Sequence, residues 1–288
     1  MRFFFRRSFL LFFALFPNLF FSCVQMGKKA FHANNELRFD TIAVSERYHL
    51  ENDTISPFCD ITVRFIYPLS GQGERSDSLI RFFISNMFGV SYENIAPADA
   101  VMAYLKHYNE SYRFDAQTYR ENVSDHPETE QPPGAFYSYH EHLSDTIVYN
   151  QNGLLSFQVK RSNYKEGAPA YDSYRNYVLD LRTCRRITEN DIFQAGYDTA
   201  LQNLFVLSLL EQNQVKTMYE LEDLGFFGLD EMMPNNNFLL DEKGFTYIFN
   251  RGEYSAYPLD APKVFIPYSA IRSLLKDNSI VAQVASKS

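Results

Sequence analysis

Hydrophobic positions along this chain change period several times, and the changes mark out its elements. From Glu36 apolar residues alternate with polar ones. Leu37, Phe39, Ile42, Val44, Tyr48 and Leu50 predict a strand with an irregularity near its middle. Asp60-Ile-Thr-Val-Arg-Phe-Ile-Tyr67 alternates cleanly and stops at Pro68. Ser76 caps a predicted helix that runs to Met87, with Leu79, Ile80, Phe83 and Ile84 on one face. A second helix is expected from Pro97 to about Tyr112, followed by an acidic, proline-rich loop over 124–134. Three strands come next: Phe136–Tyr149, Leu154–Tyr164 and Tyr171–Leu181. Asn150-Gln-Asn-Gly153 and Lys165-Glu-Gly-Ala-Pro169 turn them into an antiparallel meander.

Near Thr188 the period moves from 2 to 3.6. One helix is predicted from Thr188 to about Gln212 and a shorter one over Val215–Leu224. Asn237–Leu240 and Phe245–Phe249 form a hairpin about Asp241-Glu-Lys-Gly244. A short strand at Val264–Ile266, a helix over Tyr268–Leu275 and a frayed tail from Asp277 complete the pattern. Strands and helices arrive in blocks, so the expected class is α+β: antiparallel sheets with packed helices. Two cooperating subdomains are expected, 36–187 and 188–276, with a tail at 277–288.

The first 22 residues follow a different rule. Arg2, Arg6 and Arg7 precede an apolar run from Ser8 to Phe21, broken by Pro17. The run is too short to span a bilayer and fits a signal peptide. Cys23 directly follows Leu19-Phe20-Phe21-Ser22, which resembles a lipobox. Residues 1–22 are therefore expected to be removed, Cys23 to carry lipid, and 23–35 to act as a tether. An ordinary cleaved signal with an incidental Cys23 is the alternative. Val24 rather than Asp follows the cysteine, and Lys28 and Lys29 come without an acidic cluster. The expected location is the outer membrane, facing the periplasm.

Removing 1–22 takes away three of the 27 basic residues and none of the 35 acidic ones, leaving 24 against 35, or −11. That balance argues against a nucleic-acid partner, which needs a basic face, and favours a cationic one. Export would put Cys59 and Cys184 in an oxidising compartment, where two cysteines usually pair. A Cys59–Cys184 bridge would contribute roughly 4–5 kcal/mol in the chain-entropy account. Two separate buried thiols are the alternative.

The C-terminal block, Asn237-Phe-Leu-Leu-Asp-Glu-Lys-Gly-Phe-Thr-Tyr-Ile-Phe249, then Glu253-Tyr-Ser-Ala-Tyr257 and Val264-Phe-Ile-Pro-Tyr268, resembles exported bacterial proteins grouped as domain of unknown function 3298. Upstream, Asn150-Gln-Asn-Gly-Leu-Leu-Ser-Phe157 and Tyr177-Val-Leu-Asp-Leu-Arg-Thr-Cys-Arg-Arg-Ile-Thr-Glu-Asn-Asp-Ile-Phe193 are similar to the companion domain of unknown function 4163. Where relatives carry Tyr-x-Gly-Gly-Ala-His, this chain has Tyr164-Lys-Glu-Gly-Ala-Pro169, so the histidine's role is lost. The resemblance implies binding rather than catalysis, since one relative is an anti-sigma factor whose extracellular part recognises lysozyme. Tyr164, Glu166, Tyr171 and Tyr174, around the altered turn, are the candidate ligand-binding residues.

Catalytic signatures are scarce. The chain has no Gly-x-Ser-x-Gly elbow, phosphate loop or His-Glu-x-x-His helix. His140 and His142 share one face of a predicted strand, but two imidazoles do not make a zinc site, so no metal or cofactor is expected. The expected function is a non-catalytic envelope recognition module for a lysozyme-like cationic protein or a cell-wall glycan. A glycan-acting hydrolase and a structural component of an envelope complex remain open.

Overall fold

Two sheets organise the chain in a computed structural model that describes residues 35–49, 58–69, 76–125, 138–165 and 171–286. The larger sheet contains β1 (Phe39–His49), β2 (Phe58–Pro68), β3 (Tyr139–Gln151), β4 (Leu154–Tyr164), β5 (Tyr171–Asp180) and β6 (Arg185–Arg186), in that spatial order. Neighbours are antiparallel except β2 and β3, which run parallel with Cys59 opposite Tyr139 and Arg64 opposite Ser144. A parallel pair needs a long crossover. Helices α1 (Ser76–Phe88) and α2 (Pro97–Asp125) supply it and lie across one face of the sheet.

The helices form where the sequence predicts them because their apolar stripes match that face. Leu79, Phe83, Ile84 and Met87 of α1 meet Ile61, Val63 and Phe65 of β2, Leu143 of β3 and Phe157 of β4. Phe83 stacks on Phe157 at 4.2 Å between ring centres. Each such ring buried contributes roughly 2–3 kcal/mol. Helix α2 starts with Pro97, whose missing N–H is harmless there, and with Asp99 in its first turn. It continues to Asp125, past the expected end at Tyr112, because Tyr112 and Ala116 still face the sheet and bury against Tyr139 and Cys59. The irregularity expected in β1 is absent: its register with β2 is unbroken from Phe39 opposite Pro68 to His49 opposite Phe58.

Asn152 and Gly153 turn β3 into β4 with φ of 56° and 78°, the left-handed pair of a tight hairpin. A bulge between Ile147 and Tyr149 then changes which face β3 presents. Ile147 packs under the helices, whereas Tyr149 joins Leu154 and Val178 on the opposite side, in the core of the C-terminal half.

That half contains α3 (Glu189–Ile192), α4 (Asp198–Asn213), α5 (Met218–Asp223), the antiparallel sheet of β7 (Phe238–Leu240), β8 (Gly244–Ile248) and β9 (Lys263–Pro267), then α6 (Tyr268–Ile271) and α7 (Ile280–Ala285). Gly244 is required by close approach, since a Cβ there would collide with the Ile266 carbonyl oxygen. The single helix expected from Thr188 is broken. Phe193 turns extended to bridge Leu275 and stacks on Tyr197 at 5.0 Å, and Gly196 reverses the chain at φ 82°. The tail also departs from expectation. Ser279 accepts from the Ala282 N–H at 3.0 Å, and α7 buries Ile280, Val281, Val284 and Ala285.

Asparagines join the halves. β6 pairs with β5 at Leu179 and Asp180, and Ile187 N–H adds one bond to the Val178 carbonyl (2.8 Å); no strand among the described residues pairs with that edge from Tyr171 to Tyr177. Asn250 accepts from Tyr174 N–H (2.7 Å) and donates to Tyr174 C=O (3.2 Å). Asn237 accepts from Asn176 N–H (2.8 Å), and the Asn176 amide donates to the Asn237 carbonyl (3.2 Å). The side chains thus stand in for a missing strand. With Tyr149, Leu154 and Val178 in the C-terminal core, the two expected subdomains share one interior across the 187/188 boundary.

The expected Cys59–Cys184 disulfide is not formed. Cys59 lies opposite Tyr48 and Tyr139, at the end of the sheet where β5 begins, and Cys184 lies in the turn beyond the end of β5. About ten strand residues, roughly 30 Å, separate those ends, far beyond the ~7 Å Cα separation a bridge tolerates. Burial pushes the Cys59 thiol up to about 12. Cys23 lies outside the described residues.

Candidate ligand-binding face

Period-2 alternation gives the large sheet two unlike faces. Under α1 and α2 it is apolar. On the other face the C-terminal half covers only one end, where Leu154 and Val178 sink into its core and Ser156 Oγ accepts from Leu240 N–H at 3.1 Å. Among the described residues nothing covers the other end, and its cross-strand rows are polar.

One row carries Arg47, Asp60, His140 and Tyr164 from β1 to β4. Arg47 grips Asp60 with two bonds of 2.6 and 2.5 Å and places its guanidinium 4.4 Å from the Phe58 ring centre. That bond is the main cause holding the Asp60 carboxyl below its usual range. His140 Nδ1 lies 3.6 Å from Asp60. Its ring meets Phe58 edge-on at 5.3 Å and Tyr164 at 5.7 Å. Planar groups therefore form a strip over four strands, about 14 Å at the usual strand spacing.

The next row holds Ser45, Thr62, His142, Ser162 and Asp172, and the one after it Ala43, Arg64, Ser144, Lys160 and Tyr174. Ser45 and Thr62 hydroxyls meet at 3.0 Å, the Ser162 hydroxyl donates to Asp172, and Lys160 pairs with Asp172 at 2.7 Å. Donors and acceptors are thus fixed in place beside an aromatic strip, an arrangement suited to a flat polyhydroxylated ligand.

Two of the sequence candidates, His140 and His142, are exposed on this face, and Tyr164 is half-buried at its rim. Tyr174 lies in its third row but is only 9 % exposed. Its ring packs on Leu239, Ile248 and Ala261 where the second sheet abuts, with Lys263 5.0 Å from its centre. Glu166 and the Tyr171 side chain lie outside the described residues. Among the described residues no cluster of three or more His, Cys, Asp or Glu could hold a metal ion. Arg47, Phe58, Asp60 and Lys160 are further residues of this face, beyond those the sequence singles out; their alternation in phase with His140 is the signal that finds them.

A solved structure from Bacteroides fragilis, a member of the DUF3298 family, is 30% identical to this chain, with a TM-score of 0.80, covering 88% of this chain and 99% of its own. The chain belongs to the DUF3298 family. The family model, "Protein of unknown function (DUF3298)", matches residues 190–269. A DUF3298 family protein from Pseudomonas aeruginosa, 12% identical with a TM-score of 0.55 over 84% of this chain and 96% of its own, shares the fold. None of the curated proteins compared with the chain matches it.

Elsewhere in this DUF3298 protein, ionisable groups are enclosed. Glu141, 4 % exposed, accepts from Tyr104 OH at 2.8 Å and lies 3.0 Å from Arg161 Nε, at an angle that makes an ion pair without a hydrogen bond. Asp145, 1 % exposed, accepts from Ile66 N–H at 2.7 Å where the β2–β3 pairing ends, and burial pushes its carboxyl up to about 7. Burial also raises Glu189, which accepts from Asn236 N–H at 2.8 Å and from Tyr197 OH at 3.3 Å. Both carboxyls hold backbone in place rather than face a cleft.

The DUF3298 segment carries a second surface. From Thr217 to Glu242 there are seven acidic residues and no Lys or Arg. The loops after α5 and β8 meet through Phe227 N–H to Tyr254 C=O (3.1 Å) and expose Leu224, Phe227, Met233 and Tyr257.

Proposed function

We propose that this DUF3298 protein is a non-catalytic recognition module, held to a bacterial envelope through lipid on Cys23, whose open sheet face binds a cell-wall glycan. The observation that carries the reading is the strip Arg47–Phe58–His140–Tyr164 beside fixed hydroxyls, carboxylates and Lys160. Rings give a sugar a face to lie on, and pre-paired polar groups meet its hydroxyls with little reorganisation.

The test is calorimetric titration of the full-length protein, purified in detergent, with soluble peptidoglycan fragments. Saturable binding should weaken at least tenfold in Tyr164→Ala and in His142→Ala. Heat no greater than dilution at millimolar fragment would overturn the reading. Labelling with an alkyne fatty acid tests the anchor: wild type should incorporate it and Cys23→Ala should not.

The acidic surface between Thr217 and Glu242, with Phe227, Met233 and Tyr257 exposed beside it, favours a second reading in which a basic protein docks there. Salt-sensitive binding of lysozyme that survives Tyr164→Ala would support it. No binding at low salt excludes it.

A further inference from the structure

Among the described residues β1 is the outer strand of the large sheet. The bond from Leu69 N–H to the Arg38 carbonyl (2.9 Å) extends its ladder with β2 and fixes the phase. Even-numbered residues of β1 turn their N–H and C=O groups toward β2, and odd-numbered residues turn theirs to the open edge. Ile66 N–H donating to Asp145, on the far side of β2, agrees with that phase. The edge is eleven residues long, unbulged, and contains neither Pro nor Lys; its charges are Asp40, Glu46 and Arg47, and only the Thr41 N–H is closed by a side chain among its described outward N–H groups.

A groove of about 370 Å³ runs beside this edge on the helix side, lined by Glu46 and Tyr48 of β1 and by Met102, Leu105, Asn109 and Arg113 of α2, among others. Asn109 donates to Glu46 (3.5 Å), and Arg113 Nε donates to Tyr48 OH (2.9 Å). Four helical residues rise about 6 Å and two strand residues about 6.6 Å, so α2 keeps pace with β1. Met102, 53 % exposed, stands in the groove wall.

We propose that β1 is a dimerisation edge: two copies pair their β1 strands antiparallel, Val44 opposite Val44, and join their sheets into one of twelve strands. Charge selects the register. Only even sums of paired residue numbers keep both helix-covered faces on one side. A shift that sets Ala43 opposite Ala43 puts Asp40 against Glu46 of the other copy, a like-charge pair. A shift that sets Ser45 opposite Ser45 carries Asp40 past the end of β1. With Val44 opposite itself, Asp40 faces Tyr48 of the other copy, over whose ring Arg113 sits at 5.2 Å. Thr41 N–H, closed by Asp40 Oδ1 at 2.8 Å in the single copy, then gains a backbone partner as Asp40 turns to Arg113. Met102 of each copy comes to line the same seam, and the two open polar faces become one continuous surface.

The test is oxidative crosslinking of single-cysteine substitutions in the full-length chain in membranes, against wild type. Val44→Cys sits at a non-hydrogen-bonded pair with Cα atoms about 4.5 Å apart, within disulfide range. It should give dimer several-fold above Ala43→Cys and Ser45→Cys. Adding Ala43→Pro, which removes an outward N–H and leaves the β2 ladder whole, should abolish the crosslink. A Val44→Cys chain that stays monomeric, equal crosslinking at all three positions, or a crosslink only to a different protein would overturn the proposal.

Discussion

The same strands build two unlike surfaces, and the difference shows how this fold divides its work. Residues of one parity (Ile61, Val63 and Phe65 of β2, Leu143 of β3, Phe157 of β4) lie under α1 and α2, and their packing supplies stability. Residues of the other parity on these strands, Asp60, Thr62, His142 and Ser162, lie half-buried or exposed on the opposite face in paired polar rows where packing contributes little. A face that need not hold the protein together is free to recognise something. The comparison predicts that stability and binding respond to different residues.

The largest effect should come from the covered face. Phe157→Ala removes a ring stacked on Phe83 and should lower unfolding free energy by about 4 kcal/mol, read from the denaturation midpoint. Tyr164→Ala, on the same strand but opposite face, should change stability by less than about 1 kcal/mol while removing fragment binding. Comparable destabilisation by both would break the division.

The next effect depends on pH. Asp145 has a folded pKa of about 7, raised chiefly by burial above its unfolded value. The folded state therefore holds the proton more tightly. The stabilisation is complete below the unfolded pKa and is lost as pH rises through about 7. Its size is bounded at roughly 4 kcal/mol. Asp145→Asn, which keeps an acceptor for Ile66 N–H, should flatten stability between pH 5 and 8. Asp60 and Asp172, held below their usual range, act with the opposite sign, losing stabilisation under strong acid.

Smaller changes probe the seam and the open face. Asn237→Ala leaves Asn176 N–H without its acceptor and should cost about 2 kcal/mol. Faster amide exchange at β5 and β7 would localise the loss. Arg47→Ala removes a half-exposed pair with Asp60 and should cost under about 1 kcal/mol. It also strips the Phe58 end of the strip, so binding should weaken more than stability does.

Much of this was legible from local pattern. The expected strand Leu154–Tyr164 matches β4 to the residue because alternation and the Asn-Gly turn are short-range signals. The shared face of His140 and His142 followed from period 2 alone. Nonlocal features were not legible. The parallel β2–β3 pair joins strands about 70 residues apart, and no pattern in either strand names its partner. Phe193 lies in phase with a helix but leaves it for Leu275. Tyr174 reads as an exposed binding residue until the second sheet lands on it. Ile280, Val281 and Val284 show helical spacing, but a six-residue segment is too short for its pattern alone to mark a helix, and contact with the core is what holds it. Cys59 and Cys184 pair well by count and by the compartment the sequence leads one to expect, yet strand direction puts them at opposite ends of the sheet.

The most direct test is an NMR titration of the full-length protein with soluble peptidoglycan fragments, following the imidazoles of His140 and His142 and the backbone amides of β2 to β4. The account predicts saturable shifts confined to the open face, with Leu143 and Phe157 barely moving and the response lost in Tyr164→Ala. Shifts confined to the acidic loops after α5, or no shifts at millimolar fragment, would contradict it.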